Sequence, residues 1–401
     1  MTGPRRAALG NEGTTTHGSE RNSVGYGRRV SRKRGPALDR TKRLGGQTVS
    51  NDDRGPGILI TRLSAIGDCI LTLPVVCALR DHFPRARIAW AVEPLAASLI
   101  GRHRAVDETV IVPKGWLKSP RAIRSLRARL RSLDCRWTVD PQSLTKSSML
   151  AWLSGAPNRV GFARPRGREV APWLNNIRVT CASQHLVDAS LELLRPLGVP
   201  EKPTVRFDVP TDVQAIARTE RFLHTACLTG GFAVVISGVS WPSRQWPADR
   251  LGQVARHLGE RHNLPTVVTW AGAREESRAR EILEKSGGHA YLAPKTDLTE
   301  LAALLSKAVL VVGSDTGPLH LAAAVGTPCV GLHAVTRAES SGPYGTQHAT
   351  VQVDCPRIRN RRRRKRDDSA IRLITVESVY QACDRLLLRR VHSHRHATHA
   401  A

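Results

Sequence analysis

The stretch VVGSDTGPLHLAAA, residues 311–324, decides how the second half of this chain folds. Its apolar start predicts a buried strand, and its alanine-rich end predicts a helix. Small or polar residues and Pro318 join the two, and proline suits the first helical position because no hydrogen bond is lost there. At such a junction the unpaired N–H groups and the positive end of the helix dipole favour a phosphate. The segment therefore predicts an anion site.

Four residues of this junction are candidate ligand contacts. Asp315 or Thr316 can cap the helix, and Gly317 leaves its backbone N–H unobstructed. His320 lies one turn into the helix, where it can point back to the same anion. Taken alone, His320 is more typical of a partly buried histidine with a structural hydrogen bond than of a ligand contact. The four residues together are a more specific indication of an anion site than any one of them.

Short apolar runs alternate with helical patterns, which predicts an α/β fold with parallel sheets. The first series comprises strand 58–61, a helical run 69–83, strand 87–93, a helix near 95–101, strand 109–113, helix 119–133 and strand 137–141. The second series comprises strands 232–238, 265–272, 289–294, 309–315 and 329–334, with helices 248–262, 274–286, 298–308 and 318–326 between them. Two Rossmann-like domains facing across a cleft are expected, with ligands at the carboxyl ends of the strands.

Composition and these patterns divide the chain into six parts. They are a disordered basic tail 1–55, an N-terminal domain 56–225, a C-terminal domain 226–355, a basic insert 356–370, a C-terminal helix 371–391 and a histidine-rich tail 392–401. The final helix is expected to pack back across both domains. The tail sequence HSHRHATH is expected to be solvated rather than to hold a metal.

The charge of the chain is strongly positive. Its 401 residues include 61 Lys and Arg against 34 Asp and Glu, a formal net charge of +27. Unless arginine is simply abundant throughout, such an excess indicates nucleic acid, an anionic membrane surface or a phosphorylated substrate as partner. The longest basic runs lie outside the predicted domains, and only 4% of residues are aromatic. A specific nucleic-acid partner is therefore disfavoured.

The sequence also favours a cytoplasmic location. Residues 1–55 contain no apolar run that could serve as a signal peptide, and no run approaches the ~18 residues of a membrane span. The eight cysteines form no CxxC pair and resemble small hydrophobic residues, which fits a reducing compartment better than a zinc site or a disulfide framework.

Two further loops follow predicted strands. In RLSAIGD, Asp68 stands where a helix begins, so it is either the helix N-cap or, on a loop facing the cleft, a general base. In SGVSWPSRQWP, Ser240 and Arg244 place a hydroxyl and a positive charge at the end of a strand, although Arg244 could equally be a surface residue. No Walker A loop, GxGxxG or HExxH motif is present.

The order and spacing of three blocks resemble glycosyltransferase family 9, the heptosyltransferases of lipopolysaccharide core assembly. The blocks are ILITRLSAIGDCILTLPVVCALR (58–80), SWPSRQWP (240–247) and VVGSDTGPLHLAAAVGTPCVGLHAVT (311–336) with SGPYG (341–345). Together they cover roughly residues 57–350. The resemblance implies a GT-B fold, with an acceptor site in the N-terminal domain and an ADP-heptose site in the C-terminal domain.

The resemblance also implies roles for individual residues. Asp68 matches the catalytic aspartate that deprotonates the acceptor hydroxyl in an inverting transfer needing no metal or other cofactor. Asp315, Thr316, Gly317 and His320 match the donor motif around the pyrophosphate and sugar.

Further matches are less close. Arg244 occupies the place of a usual lysine near the phosphates, which replaces a point charge by a planar fork. Ser240 matches a hydroxyl at the same phosphates, and either Glu275 or Glu276 matches a carboxylate near the adenosine ribose. Lys146 falls in the acceptor-side segment PQSLTKSS, in which Ser143 replaces a usual glycine.

The function expected from the sequence is transfer of a heptose or related sugar from an ADP-sugar to the lipid A–core oligosaccharide. The alternatives are another nucleotide-sugar donor on the same fold, or a basic nucleic-acid-binding protein on an inactive glycosyltransferase scaffold. Retention of Asp68, Asp315 and His320 argues against an inactive scaffold. The basic segments are expected to hold the enzyme on the inner face of the inner membrane, each Lys or Arg contributing about 1 kcal/mol.

Overall fold

The computed structural model describes residues 55–354 and 366–399, the last nine of them as backbone only. Nearly all of the predicted basic tail 1–55 and of the run 361–366 falls outside the described residues, and so does Cys355. Within the described residues, no helix is long and apolar enough to cross a membrane. The seven cysteines of this part form no disulfide, and most of them are buried.

The first half of the fold is built on a six-stranded parallel sheet in the order β3-β2-β1-β4-β5-β6. Its strands are β1 (Gly57–Thr61), β2 (Arg87–Val92), β3 (Glu108–Ile111), β4 (Trp137–Asp140), β5 (Asn158–Phe162) and β6 (Ile177–Val179). Its helices are α1 (Ile66–Ile70), α2 (Leu73–His82), α3 (Pro94–Ile100), α4 (Pro120–Arg131), α5 (Thr145–Leu153), α6 (Ala171–Leu174), α7 (Leu186–Glu192) and α8 (Val213–Thr225).

The second half repeats this plan, with the strand order β12-β11-β10-β7-β8-β9. Its strands are β7 (Ala233–Ile236), β8 (Thr266–Thr269), β9 (Ala290–Leu292), β10 (Leu310–Ser314), β11 (Cys329–His333) and β12 (Ala349–Gln352). Its helices are α9 (Ala248–His262), α10 (Ala273–Lys285), α11 (Leu298–Lys307), α12 (Gly317–Ala324), α13 (Ala338–Ser341) and α14 (Val376–His399).

Both sheets have the strand order of a Rossmann fold, so the predicted α/β architecture of two Rossmann-like halves is confirmed. In each sheet the strand order reverses at one point, between β1 and β4 in the first and between β7 and β10 in the second. Ligands bind in the crevice that such a reversal opens at the carboxyl ends of the strands. The loops after these four strands are the segments that hold Asp68, Lys146, Arg244 and Asp315.

The structure corrects the predicted elements in two respects. The helical run expected over 69–83 is two helices, α1 and α2, because Pro74 lacks an N–H and its ring excludes the carbonyl of Ile70. Strands β5 and β6 of the first sheet and the edge strand β12 of the second were not predicted from the sequence. Their burial patterns contain partly exposed positions, which weakens the apolar signal of a parallel strand.

The C-terminal helix belongs to the second half alone. The buried residues of α14, among them Val379, Ala382 and Cys383, lie in one apolar cluster with Leu251 of α9 and Val330 of β11. We expected this helix to pack across both domains. Instead, the halves are joined by a different cluster, the largest in the described residues, which contains buried side chains from both sheets.

Candidate functional site

A buried ion cluster lies at the switch point of the second sheet. Asp315, at the end of β10, is 3% exposed; its Oδ1 lies 3.0 Å from Nε2 of His320, and its Oδ2 lies 3.3 Å from Nη1 of Arg244. The same Nη1 donates to the backbone carbonyl of Asp315 at 2.7 Å. The loop after β7 is thus fastened to the loop after β10, and the predicted donor-site residues Asp315, His320 and Arg244 are brought together.

The charges of this cluster keep Asp315 ionised. Burial alone raises the pKa of the carboxyl, but the hydrogen bond from His320 and the charges of His320 and Arg244 outweigh burial and hold the pKa far below its usual range. An ionised carboxylate only accepts hydrogen bonds, so Nε2 of His320 carries the proton between them. Nδ1 of His320 has no partner among the described residues.

Helix α12 begins beside this cluster. Thr316 is its N-cap residue by position, but its hydroxyl donates to the carbonyl of Ser314 at 3.1 Å instead of capping the helix. Neither Asp315 nor Thr316, the two predicted caps, therefore accepts a hydrogen bond from the N–H groups of the first turn. Pro318 is the second residue of α12, whereas the sequence predicted it as the first. Its missing N–H costs no hydrogen bond at this position, because the N–H groups of the first turn have no partner within the helix. The N-terminus of α12 keeps N–H groups available for an anion.

The side chain of Arg244 packs against other residues of the site and does not extend into solvent. Its guanidinium carbon lies 4.5 Å from the ring centroid of Trp241, and its Nε has no partner among the described residues. Stacking on the indole fixes the plane of the guanidinium. Ser240 lies exposed on the same loop, and no described hydrogen bond ties it to the other site residues.

The two glutamates at the start of α10 face different surroundings. Glu275 accepts from the N–H of Ala271 at 2.8 Å, and its carboxylate lies so close to Gly238 that a Cβ there would stand 2.2 Å from Oε2. Burial raises the pKa of Glu275. Glu276 instead pairs with Arg280 at 2.7 Å along the helix surface. Glu275 therefore borders the loop after β7, and Glu276 does not.

On the first sheet, Asp68 lies in the loop–helix junction after β1. It is the third residue of α1 rather than the N-cap, which is Ala65. Its Oδ2 lies 2.7 Å from Nη2 of Arg62 and accepts the N–H of Ala65 at 3.3 Å. Its Oδ1 has no hydrogen-bond partner among the described residues, and the side chain is 41% exposed. One carboxylate oxygen is thus anchored while the other faces outward.

Lys146 and Ser143 occupy the loop after β4 and the start of α5. Lys146 is exposed, with no ion pair among the described residues. Ser143 has φ 45°, in the left-handed region that favours glycine, and its buried hydroxyl bonds to the carbonyl of Asp140 and the N–H of Phe162. The serine therefore keeps the backbone shape that a glycine would give here.

The two halves meet at their helix N-termini. A Cβ on Gly67 of α1 would lie 2.5 Å from Cδ2 of His320 and 3.3 Å from the Cα of Gly317. We expected Gly317 to leave its backbone N–H unobstructed for a ligand. In the structure Gly67 and Gly317 let α1 and α12 approach each other, so Asp68, next in sequence to Gly67, belongs to the helix that meets the predicted anion site of the other half.

Several residues around the cleft were not found from the sequence. Arg62 pairs with Asp68 and donates to the carbonyl of Pro141 at 2.8 Å. Tyr344 donates to Asp188 of α7 at 2.7 Å, which fastens the segment after α13 to the first half. His333 is fully buried, burial lowers its pKa to about 4, and neither ring nitrogen has a partner among the described residues. Of these residues, only Arg62 could have been found from the sequence, because it stands six residues before Asp68 in the same loop.

Comparisons with known proteins identify the family of this chain. The family model of glycosyltransferase family 9 (heptosyltransferase) matches residues 123–370. The chain is 27% identical over 305 residues to lipopolysaccharide core heptosyltransferase OpsX of Haemophilus influenzae, covering 74% of this chain and 84% of that one. It is 28% identical over 303 residues to lipopolysaccharide heptosyltransferase 1 of Salmonella typhimurium, covering 72% and 91%.

Solved structures show the same architecture. A glycosyl transferase of family 9 from Veillonella parvula superposes with a TM-score of 0.70 at 23% identity, covering 83% of this chain and 98% of that one. The E. coli heptosyltransferase WaaC with ADP-2-deoxy-2-fluoro heptose superposes with a TM-score of 0.65 at 23% identity, covering 82% and 99%. At this identity the likeness shows the fold, and it confirms the predicted GT-B fold.

The contact between the halves yields a prediction for Gly67→Ala. The added methyl would meet the His320 ring, which Asp315 holds in place, so overpacking should destabilise the protein by about 1–3 kcal/mol. Thermal unfolding of the purified protein should show a lower midpoint. The matched control is Gly230→Ala, because nothing lies within 4 Å of a Cβ at Gly230. Equal midpoints for the two variants would contradict the contact.

Proposed function

The chain belongs to glycosyltransferase family 9, the heptosyltransferases, and on that premise we propose that it transfers a heptose from ADP-heptose to the core oligosaccharide of lipopolysaccharide. It is a glycosyltransferase of the GT-B fold. Its relatives in Haemophilus influenzae and Salmonella typhimurium carry lipopolysaccharide heptosyltransferase names, and WaaC was solved with ADP and with an ADP-heptose analogue. The acceptor and the donor proposed for this chain follow those relatives.

One observation carries the proposal. Gly67 packs against Gly317 and His320, so the turn of α1 that carries Asp68 meets the N-terminus of α12. This contact supports the proposal, because the group proposed to take the proton and the site proposed to hold the pyrophosphate then belong to the two helix N-termini that meet between the halves. An inverting transfer needs this pair, because the acceptor attacks from one side while the leaving group departs on the other.

We place the pyrophosphate of the donor at the N-terminus of α12. The first-turn N–H groups at Thr316 and Gly317 would bind its oxygens, and the helix dipole would add to this attraction. Arg244, oriented by Trp241, would present its guanidinium to the same phosphates. As the glycosidic bond breaks, negative charge grows on the departing ADP, and these fixed groups stabilise it without reorganisation.

In this scheme, Asp315 holds other residues in place. Its carboxylate already pairs with His320 and Arg244, so it does not serve as the base. The pairing fixes the His320 ring with Nε2 toward Asp315, and Nδ1 remains to contact the donor. Glu275, rather than Glu276, is assigned to the adenosine ribose, because it borders the loop after β7. Ser240 remains a predicted phosphate contact.

Asp68 is assigned as the general base. An acceptor hydroxyl oxygen attacks the anomeric carbon, the bond from that carbon to the pyrophosphate breaks, and ADP leaves with the electron pair. The hydroxyl proton passes to Oδ1 of Asp68, since Oδ2 is held by Arg62 and Ala65. Arg62 keeps the carboxylate oriented. Lys146, exposed on the wall of the first half, is assigned to the anionic acceptor.

No divalent cation is required in this proposal. The N-terminus of α12 and Arg244 supply the positive charge that a metal provides in other nucleotide-sugar enzymes. The proposal therefore includes no cofactor, and ADP-heptose is a substrate.

Calorimetry with a panel of nucleotide sugars tests the donor site. We expect ADP-heptose to bind more tightly than other donors, Asp315→Ala to lose that binding, and Asp68→Asn to retain it, because Asp68 contacts the acceptor. Arg244→Lys, which keeps the charge but loses the fork, should weaken binding less than Arg244→Ala. Absence of binding to every nucleotide sugar by the folded wild-type protein would overturn the proposal, and selection of another donor would replace ADP-heptose.

We also place the enzyme at an anionic membrane surface, because its acceptor is anchored to lipid and its net charge is +27. Flotation with vesicles tests this. We expect the full chain to float with vesicles containing anionic lipid and not with neutral ones, and a variant lacking residues 1–54 with Arg361–Arg366 replaced by glutamine to remain at the bottom. A control variant neutralises the exposed Arg121, Arg124 and Arg127 of α4. Equal flotation of the deletion variant would contradict the role of the basic segments.

A further inference from the structure

A group of metal-ligating side chains lies away from the cleft, where α9 meets α14. Nε2 of His257 lies 2.9 Å and Nε2 of His262 lies 2.6 Å from the same oxygen, Oδ1 of Asp384. The ligand atoms of the three residues all lie within 4.8 Å of one another. This group is not used in the proposed transfer. The cleft loop ends where α9 begins, and the helix then runs 15 residues, roughly 20 Å, to His262.

The first histidine is held in place before any ion binds. The ring of His257 stacks on Tyr380 with centroids 4.0 Å apart and planes 5° from parallel. Tyr380 lies one turn before Asp384 on α14, and its hydroxyl donates to the carbonyl of Gln253 at 3.2 Å. Fixed ligand orientation of this kind raises metal affinity, because less freedom is lost on binding.

The surroundings suit a cation at this point. His262 is the last residue of α9, and the carboxyl end of a helix attracts positive charge. Arg261 places its Nε 3.7 Å from the other oxygen of Asp384, Oδ2. Among the described residues, the ion pairs of Oδ1 are those with the two imidazoles. All three side chains are partly exposed, so an ion could enter from solvent.

We propose that His257, His262 and Asp384 form a binding site for a divalent transition-metal ion such as Zn²⁺, which joins the C-terminal helix α14 to α9. Two imidazoles and one carboxylate are a ligand set that such ions favour. Around zinc, neighbouring ligand atoms lie about 3.3 Å apart, so the two N···O distances need to widen by about half an ångström. The remaining coordination positions would be filled by water.

Hydrogen bonds alone are the competing explanation, because each neutral imidazole can donate its Nε2–H to Oδ1. The test must also exclude the histidines at 392–399, which are a second possible source of ligands. The starting protein is therefore the full chain with His392, His394, His396 and His399 replaced by alanine, called the tail variant.

Zinc titration of the tail variant, by calorimetry and against a chromogenic chelator, should give one Zn²⁺ per chain. Asp384→Asn in the tail variant keeps an oxygen that accepts both hydrogen bonds but removes the ligand charge, so binding should weaken at least ~10-fold. His262→Gln should weaken it similarly. His224→Gln is the matched control, since His224 is exposed on α8, and it should change the affinity by less than about twofold.

Thermal unfolding supplies a second measurement. At one Zn²⁺ concentration, the unfolding midpoints of the tail variant and of the His224→Gln control should rise by the same amount, and those of the Asp384→Asn and His262→Gln proteins should rise less. Loss of all zinc binding in the tail variant would overturn the proposal, and so would equal affinity in the Asp384→Asn and control proteins. Because these measurements do not use the transfer reaction, their failure would leave the proposed function untouched.

Discussion

The close approach of Gly67 to Gly317 and His320 is the constraint on which the rest of the site depends. Gly67 is the second residue of α1 and Gly317 the first of α12, at the switch points of the two sheets. A Cβ at Gly67 would clash with His320, and one at Gly317 would lie 3.2 Å from Ile66. Without this contact, Asp68 would face solvent and the N-terminus of α12 would be an isolated anion site. With it, the helix turn that carries Asp68 meets the helix N-terminus beside Asp315 and His320, which is the arrangement that the proposed transfer uses.

Each sheet secures its switch point with an arginine. Arg62, after β1, donates to the carbonyl of Pro141 after β4, and Arg244, after β7, donates to the carbonyl of Asp315 after β10. Each arginine also pairs with a site carboxylate, Asp68 in the first half and Asp315 in the second. The pairs differ in burial: Asp315 is almost inaccessible, whereas Asp68 is 41% exposed. This difference suits one carboxylate to hold a site together and the other to exchange a proton.

The sequence was sufficient for the central strands and the loops that follow them, because continuous apolar runs beside glycine-rich junctions are strong local signals. It was insufficient for β5, β6 and β12, whose partly exposed residues weaken that signal. It could not choose between Glu275 and Glu276, since only the packing of Gly238 distinguishes them. Long-range partners such as Arg62 with Pro141 or Tyr344 with Asp188 depend on topology and leave no local pattern.

The stereochemistry of the product tests the central claim most directly. Purified enzyme would be incubated with ADP-heptose and a truncated core acceptor, and the anomeric configuration of the new linkage would be determined by NMR. Attack across the cleft, with Asp68 on one wall and the pyrophosphate site on the other, predicts inversion relative to the donor, and Asp68→Asn should turn over about 10²–10⁴-fold more slowly. Retention of configuration, or full activity of Asp68→Asn, would contradict the account.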